Sequence, residues 1–317
     1  MPFLSEPEPQ RGVPLNVLPG IRRIVARNPS VMTYKGTNTY LIDAADGLTI
    51  LDPGPKDPQH VQDILAAAGA VPIRRILLTH THSDHWGASD ALQEATGLPV
   101  HSYKISGIQG FTPDIPLDDG DTIAGLTAIF TPGHAADHLC YEYFLADGTK
   151  ILFSGDHVMS WSSSIVSPPD GEMLAYYRSL ERLLRRDEVF YLGGHGPLLP
   201  EPRVLVAQLL AHRQKREASI LAELQNRDWV VAELSEKLYA KTDPYLKGAA
   251  QRNVLAHLLK FKAEGIVEER EAATTPSPGI TLLSIPPGEL ENESGSQIRA
   301  LNKDALRRFG MSERQPG

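Results

Sequence analysis

Three histidines and one aspartate lie within seven consecutive residues, in the segment Thr-His-Thr-His-Ser-Asp-His at 79–85. His80 and His82 are two positions apart, so an extended segment leaving a strand directs both imidazoles to the same side. Asp84 and His85 follow where the chain turns into the next predicted helix. One short loop at the end of a strand can therefore hold two adjacent metal ions.

Three more candidate ligands follow, each in a glycine-marked turn after an apolar strand: His134, Asp156 and His195. Because the candidates come from several strand ends, a rigid scaffold can hold two cations about 3.5 to 4 Å apart despite their repulsion. Imidazole and carboxylate bind zinc, manganese and iron alike, so the sequence predicts the ligands better than the metal. The candidate metal ligands are His80, His82, Asp84, His85, His134, Asp156 and His195.

Strand-like runs alternate with helical segments in this part of the chain, which indicates an α/β protein. One helix is predicted at 58–68, where Asp57 is the N-cap and Pro58 occupies the first turn. The other predicted helices are at 84–96 and 171–186, and the predicted strands are at 21–27, 38–43, 48–52, 73–78, 126–131, 139–145, 150–153 and 189–192.

The metal-binding motifs resemble those of the metallo-β-lactamase superfamily, in the hydrolase branch that includes glyoxalase II and the β-lactamase-like endoribonuclease. The resemblance implies a four-layer αββα sandwich, a choice that periodicity alone does not make. It also implies a division of the ligands. His80, His82 and His134 would bind a first metal, Asp84, His85 and His195 a second, and Asp156 would bridge the two.

Two divalent metal ions are the expected cofactors, with zinc the first choice and manganese or iron the alternatives. Two such cations that share a water lower its pKa, so a bridging hydroxide becomes the nucleophile at ordinary pH. Asp84 is the predicted catalytic residue, because its carboxylate can orient that hydroxide. The predicted reaction needs no serine or cysteine nucleophile.

Four residues outside the ligand set are candidates for supporting roles. By the resemblance, Asp52 hydrogen-bonds a ligand histidine and fixes its tautomer, although a turn role before Pro-Gly is the alternative. Asn38, in Gly-Thr-Asn-Thr-Tyr, is expected either to reach the active-site side or to serve only as a turn residue. His138 and His157 could orient a ligand or protonate the leaving group.

Two differences between this sequence and well-known members of the superfamily narrow the range of expected functions. The zinc enzymes that destroy β-lactam antibiotics use a cysteine at the second metal or lack the bridging aspartate, whereas this chain has His195 and Asp156. Antibiotic hydrolysis is therefore disfavoured. The RNA-processing relatives with an inserted clamp domain place it between these two positions, where this chain has room only for a loop, a helix and a strand.

The predicted domains are a catalytic domain at 1–201, a small, mainly helical winged-helix domain at 202–271 and a flexible tail at 272–317. Helices are predicted at 203–225, 231–240 and 247–265, and a strand follows them. The tail is rich in Pro, Ser, Gly and Glu, with a helix expected near 297–308 and a docking strand near 279–284. The residues of DNA-contacting type in the winged helix are Arg252, Asn253, His257 and Lys260.

Composition bears on partners and location. The formal charge of −8 gives no global attraction for nucleic acid. The single cysteine, Cys140, excludes an intrachain disulfide and is expected to be buried and inert. The N-terminus lacks the basic start and apolar core of a signal peptide, and no apolar run is long enough to span a membrane, so a cytoplasmic protein without a membrane partner is predicted.

These observations predict a binuclear metal-dependent hydrolase that acts on a small ester or thioester. Cleavage of single-stranded RNA is the principal alternative, because the same chemistry attacks phosphodiesters. A winged-helix DNA-binding regulator with a metal-sensing domain is a second alternative, which the complete ligand set disfavours. A small-molecule partner is expected, and self-association is left open.

Overall fold

The computed structural model describes residues 3–270 and 308–311. The chain divides into two compact units, of which the first ends at His212 and the second begins at Arg213. The candidate metal ligands all belong to the first unit.

Within residues 3–212, one sheet has seven strands that lie side by side in chain order. The first four strands pair antiparallel, and the remaining pairings are parallel. The apolar strand Gly47–Leu51 is buried at every position, as expected for a strand that is covered on both faces. The strands are β1 (Leu15–Leu18), β2 (Ile21–Val25), β3 (Asn38–Ala44), β4 (Gly47–Leu51), β5 (Ile73–Leu77), β6 (Val100–Tyr103) and β7 (Ile115–Leu117).

The second sheet of this unit has six strands, which run from β13 at one edge to β8 at the other. Its only parallel pairing within the described residues joins β11 to β12, so two ligand-bearing turns leave this sheet at the same end. The strands are β8 (Thr122–Ile123), β9 (Leu126–Phe130), β10 (Leu139–Phe144), β11 (Lys150–Gly155), β12 (Phe190–Gly193) and β13 (Leu199–Pro200).

The helix predicted at 84–96 is two helices, α2 (Ser83–Trp86) and α3 (Ser89–Thr96). The interruption has a hydrogen-bonding cause. The Ala88 amide donates to the Gly54 carbonyl at 2.9 Å and not to a carbonyl of the preceding helical turn. The loop after β4 therefore divides the predicted helix. Helix α1 (Pro58–Ala68), by contrast, has the predicted bounds, and the Asp57 carboxylate caps it by accepting from the Gln59 amide.

The buried faces of the two sheets show how the layers of the first unit are stacked. One core cluster joins apolar side chains of both sheets, such as Ile42 and Phe153, so the sheets pack face to face. A second cluster joins the other face of the first sheet to α1 and α3. Helix α4 (Met173–Leu184) covers the second sheet and donates hydrogen bonds from Ser179 and Arg182 to carbonyls at the end of β9. The predicted four-layer α/β sandwich is confirmed.

The second unit is mainly helical and has its own core, which includes Ile220, Trp229 and Phe261. The predicted winged helix is confirmed in its helical part and gains an unpredicted strand, because Arg308–Met311 pairs with both other strands of a small sheet. Helix α5 (Pro202–Leu224) begins in the first unit and ends in the second. The other elements of the second unit are β14 (Trp229–Val230), α6 (Val231–Leu238), a 3-10 turn (Pro244–Leu246), α7 (Lys247–Ala263), β15 (Val267–Arg270) and β16 (Arg308–Met311).

Residue 308 onwards lies in the segment for which the sequence predicts a flexible tail. The strand expected near 279–284 and all but the last residue of the helix expected near 297–308 lie outside the described residues. Cys140 is buried, as predicted, and burial raises the pKa of its thiol to about 12. In residues 3–270, none of the helices combines the length and the apolar character needed to cross a bilayer.

Candidate metal centre

The structure brings all seven candidate ligands to one edge of the sandwich, where four strands end. The segment with His80 to His85 follows β5, and His134, Asp156 and His195 come after β9, β11 and β12. The glycine at 194 is required by the close approach of two of these turns. A Cβ atom there would lie 2.3 Å from Asp156 Oδ1 and 2.6 Å from the His85 ring.

The first group of donors is entirely imidazole. His82 Nδ1 lies 3.0 Å from His80 Nε2 and 3.0 Å from His134 Nε2. Three ring nitrogens at these separations form a triad of the kind that binds a single cation.

The second group combines one carboxylate with two imidazoles. Asp84 Oδ2 lies 3.4 Å from His85 Nε2 and 3.2 Å from His195 Nε2. Asp156 lies between the groups, since its carboxylate oxygens are 3.5 Å from His85 Nε2, 3.3 Å from His195 Nε2 and 3.7 Å from His134 Nε2. The position of Asp156 is that of a side chain able to contact ions in both groups.

The outer nitrogen of each histidine has an acceptor, so in the neutral ring the proton lies on the outer nitrogen and the inner nitrogen has a free lone pair. Carbonyl and carboxylate oxygens only accept, and the Thr79 hydroxyl already donates to Asp52, so in every case the ring donates. The acceptors are Thr79 Oγ1 for His80 (2.9 Å), Asp170 Oδ2 for His82 (2.9 Å), Asp52 Oδ2 for His85 (2.9 Å), the Ile165 carbonyl for His134 (2.8 Å) and the Gly36 carbonyl for His195 (3.2 Å).

The two groups differ in proton affinity. Burial lowers the pKa of His134 to about 4 and places that of His80 well below its ordinary value. Burial acts in the same direction on His195, but Asp156 and Asp84 outweigh it and raise the pKa of this ring to about 9. The pKa of His85 is also raised, because Asp84, Asp156 and Asp52 outweigh its burial.

The residues present fit divalent cations. His85 Nε2 and Asp156 Oδ1 are buried, face the cluster and lack a hydrogen bond to any described residue. Buried polar atoms of this kind normally have a partner, and a cation supplies one. The nitrogen and oxygen donors suit zinc, manganese or iron.

Asp52 holds the position that the sequence predicts for it. Its carboxylate accepts from His85 Nδ1 and also from the Thr79 amide and hydroxyl, at 2.7 and 2.8 Å. The backbone of Asp52 adopts a left-handed φ of 55°, a conformation that costs free energy for a residue other than glycine. Asp52 therefore lies in a turn and also accepts a hydrogen bond from His85, so the two roles considered for it occur together.

The other supporting candidates act more indirectly than the sequence suggests. The Asn38 amide donates to the Gly193 and Gly196 carbonyls, both at 2.9 Å, and so holds the turn that presents His195. His138 Nε2 accepts from the Asp156 amide at 3.2 Å. The ring of His157 is buried against Tyr176 and His138 and makes no hydrogen bond to a described residue, so this position offers no proton to a leaving group.

Two functional contacts were not predicted from the sequence. Asp170 bonds to His82 across 88 positions of the chain, a separation for which no local spacing gives a signal. The Thr37 hydroxyl donates to Asp84 Oδ2 at 3.1 Å and accepts from the Asn28 amide at 2.9 Å. Thr37 lies inside the Gly-Thr-Asn-Thr-Tyr motif, where attention to the neighbours of Asn38 would have found it.

The winged-helix residues of DNA-contacting type are packed inside their own unit. Arg252 and His257 are 4% and 0% exposed. His257 and Lys260 bond to Glu217, and Asn253 accepts from Arg213. These contacts occupy the side chains that a DNA-reading helix would need to expose.

Comparisons with known proteins agree with the geometry. The family model of the metallo-β-lactamase superfamily matches residues 32–195, and that of the β-lactamase-associated winged helix domain matches residues 231–274. A β-lactamase-like protein 2 homolog of Caenorhabditis elegans is 28% identical over 281 residues, which are 84% of this chain and 91% of the relative.

Two further comparisons concern a named thioesterase and the fold. An atrochrysone carboxyl ACP thioesterase of Passalora fulva is 29% identical over 237 residues, 71% of this chain and 69% of the relative. The crystal structure of a β-lactamase domain protein from Burkholderia ambifaria superposes on this chain with a TM-score of 0.75 and 22% sequence identity. The superposition covers 96% of this chain and 95% of the Burkholderia chain. At that identity, the superposition bears on the fold alone.

Proposed function

The chain belongs to the metallo-β-lactamase superfamily and is a hydrolase, and on that premise we propose that it uses two divalent metal ions to hydrolyse a thioester or small ester. The observation that carries this proposal is the complete set of inward-facing donors, each histidine of which has an acceptor on its outer nitrogen. A protein that had lost the reaction would have no need to keep these hydrogen bonds.

In this proposal each donor group holds one ion, with zinc the first choice, and Asp156 contacts both. When bound, two divalent cations supply a hydroxide nucleophile near neutral pH and offset the charge that develops on the attacked carbonyl oxygen. The ligands proposed for the first ion are His80, His82 and His134, and those for the second are Asp84, His85 and His195.

Asp84 is the residue proposed to orient the attacking water. Its side chain is 25% exposed, against 9% for Asp156, so it is the carboxylate that an incoming water meets. Burial would raise the pKa of Asp84, but His85 and His195 outweigh burial and hold it below its ordinary value. The group is therefore ionised at neutral pH and able to accept a hydrogen bond from water, while the Thr37 hydroxyl fixes one of its oxygens.

Two observations support a thioester or ester over RNA. The Passalora relative is named as a thioesterase. Lys35, two residues before Thr37, and Arg11 both pair with the Glu8 carboxylate, which offsets part of their positive charge. A polyanion would have to displace these pairs, and the net charge of −8 opposes its approach.

The test is a substrate panel of thioester, lactone, phosphodiester and single-stranded RNA, run under defined zinc with the parent protein and Asp84→Asn. Thioester or ester turnover should fall by roughly 10²- to 10⁴-fold in the variant. The matched control is Asp90→Asn on α3, where the exposed carboxylate is outside the cluster and turnover should stay at the parent level.

The same panel separates the alternatives. RNA cleavage that is lost in Asp84→Asn and weakens steeply with salt would replace the thioesterase proposal with an endoribonuclease. DNA binding that is equal in the parent and in the variant, with no hydrolysis of any substrate, would favour the regulator. Chelation should abolish turnover, and zinc or manganese should restore it.

A further inference from the structure

Two of the ligand histidines differ from the rest in the acceptor that holds their outer nitrogen. Among the five ligand histidines, only His82 and His85 have a carboxylate as the acceptor of the outer nitrogen, namely that of Asp170 and that of Asp52. One of the two histidines belongs to each donor group. A carboxylate increases the basicity of the ring it accepts from, which strengthens metal binding more than a neutral oxygen does.

His82 also differs from the other four in the nitrogen that it turns inward. It presents Nδ1 to the cluster, at 3.0 Å from His80 Nε2 and from His134 Nε2, whereas those two rings and the rings of His85 and His195 present Nε2. The inward Nδ1 of His82 has a free lone pair only while its Nε2 carries the proton. Asp170 is the acceptor that keeps the proton on Nε2.

The position of Asp170 is itself fixed. It lies in the loop before α4, where Oδ1 accepts from the Ala136 amide at 3.0 Å and Oδ2 accepts from His82 Nε2 at 2.9 Å. Its side chain is 20% exposed. Both oxygens are therefore occupied by donors from different segments, and rotation of the carboxylate would break one bond to keep the other.

We infer that Asp170 is a positioning residue that fixes the ring orientation and the tautomer of His82 and so sets the metal affinity of the first donor group. Asp170 is the counterpart, for that group, of Asp52 in the second. The inference rests on the proposed function insofar as a cation must bind to the first group.

A neighbouring aspartate provides a matched control. Asp137 is buried close to the same loop and accepts from the Thr81 hydroxyl and from the Gly107 amide at 2.9 Å, but it makes no hydrogen bond to a histidine ring. Substitution at Asp137 removes a carboxylate that holds backbone and hydroxyl groups. Substitution at Asp170 removes one that holds an imidazole.

Asp170→Asn is the informative variant because the asparagine side chain has only one acceptor oxygen, whereas two donors, the Ala136 amide and His82 Nε2, need an acceptor. If that oxygen faces the Ala136 amide, the NH₂ group faces His82 Nε2, and the ring loses its acceptor or moves its proton to Nδ1, where a metal would bind. Asp170→Glu retains a carboxylate and serves as the conservative variant. Zinc affinity is measured for each full-length protein by competition with a chromophoric chelator.

The expected result is a 10- to 100-fold loss of affinity for one of two zinc ions in Asp170→Asn. Asp137→Asn should keep parent affinity for both ions, and Asp170→Glu should recover most of the loss. In a His82→Ala background, Asp170→Asn should cause no further loss, because its effect acts through that ring. A merely structural role would lower affinity equally in both backgrounds.

Several results would overturn the inference. Parent-like zinc affinity in Asp170→Asn would show that the hydrogen bond is dispensable, while the thioesterase proposal would stand. Equal losses in Asp170→Asn and Asp137→Asn, or loss of the circular dichroism spectrum in Asp170→Asn, would assign Asp170 to loop structure. A parent protein that binds no zinc would overturn this inference and the proposed function together.

Discussion

The two donor groups lie side by side but differ in how many of their histidines have a raised pKa. The first group contains no carboxylate, and burial lowers the pKa of two of its histidines. In the second group Asp84 and the adjacent Asp156 raise the pKa of both histidines despite the same burial. The contrast shows that neighbouring charge outweighs burial here: one group offers mostly free lone pairs at neutral pH, and the other must release protons before it binds a cation.

Asp52→Asn should give the largest difference between the groups, since Asp52 accepts directly from His85 of the second group and reaches His80 of the first group only through the Thr79 hydroxyl. We expect a 10- to 100-fold loss of zinc affinity at the second group. Asparagine tolerates the left-handed backbone that residue 52 requires, so the turn should persist. Chelator competition measures both sites, and an equal loss at both would break the distinction between the groups.

The second prediction concerns the pH dependence of zinc affinity, which should differ between the two donor groups. The pKa of His195 is raised to about 9, so below that pH its ring holds a proton that zinc must displace, and the raised pKa of His85 acts in the same direction. In the first group the pKa is raised only for His82, where the hydrogen bond to Asp170 outweighs burial. Affinity of the second group should therefore rise with pH more steeply, by roughly tenfold per pH unit for the additional proton. Zinc titrations at several pH values would contradict the contrast if the slopes were parallel.

Thr37→Val tests the smallest contribution, the hydroxyl that donates to Asp84. The substitution preserves shape and removes the hydroxyl's two hydrogen bonds, of which only the one to Asp84 reaches the donor group. Turnover should therefore fall by about fivefold, which corresponds to about 1 kcal/mol. Thr49→Val is the matched control, since Thr49 is equally buried in β4 and its hydroxyl has no hydrogen-bond partner in the described residues. A similar loss of turnover in both variants would show that the hydrogen bond from Thr37 to Asp84 makes no specific contribution.

The seven candidate donors, which the structure brings together, could be found from the sequence because they lie in local patterns. The spacing of His80 and His82 and the glycines beside Asp156 and His195 are visible without a structure. Helix α1 was predicted to the residue because its cap and first-turn proline are also local. The four-layer arrangement came from the family resemblance, since periodicity does not distinguish among α/β folds.

What sequence reasoning missed depends on distant contacts. Asp170 has no pattern that relates it to His82, and the break between α2 and α3 comes from the loop at Gly54, some thirty residues earlier. Strand β16 pairs with β15 across a stretch of 37 residues that lies outside the described part of the chain, 271–307. Pairings of this kind are fixed by tertiary packing and leave little trace in local composition.

Residue 194 is glycine, and its lack of a side chain matters for recognising inactive relatives. A single methyl group there would occupy the gap between Asp156 and His85, so a protein could retain every histidine and aspartate and still be unable to close the second half of the cluster. Surveys that score catalytic competence by counting ligands would classify such a protein as active. Inspection of this one position would identify it as a pseudoenzyme.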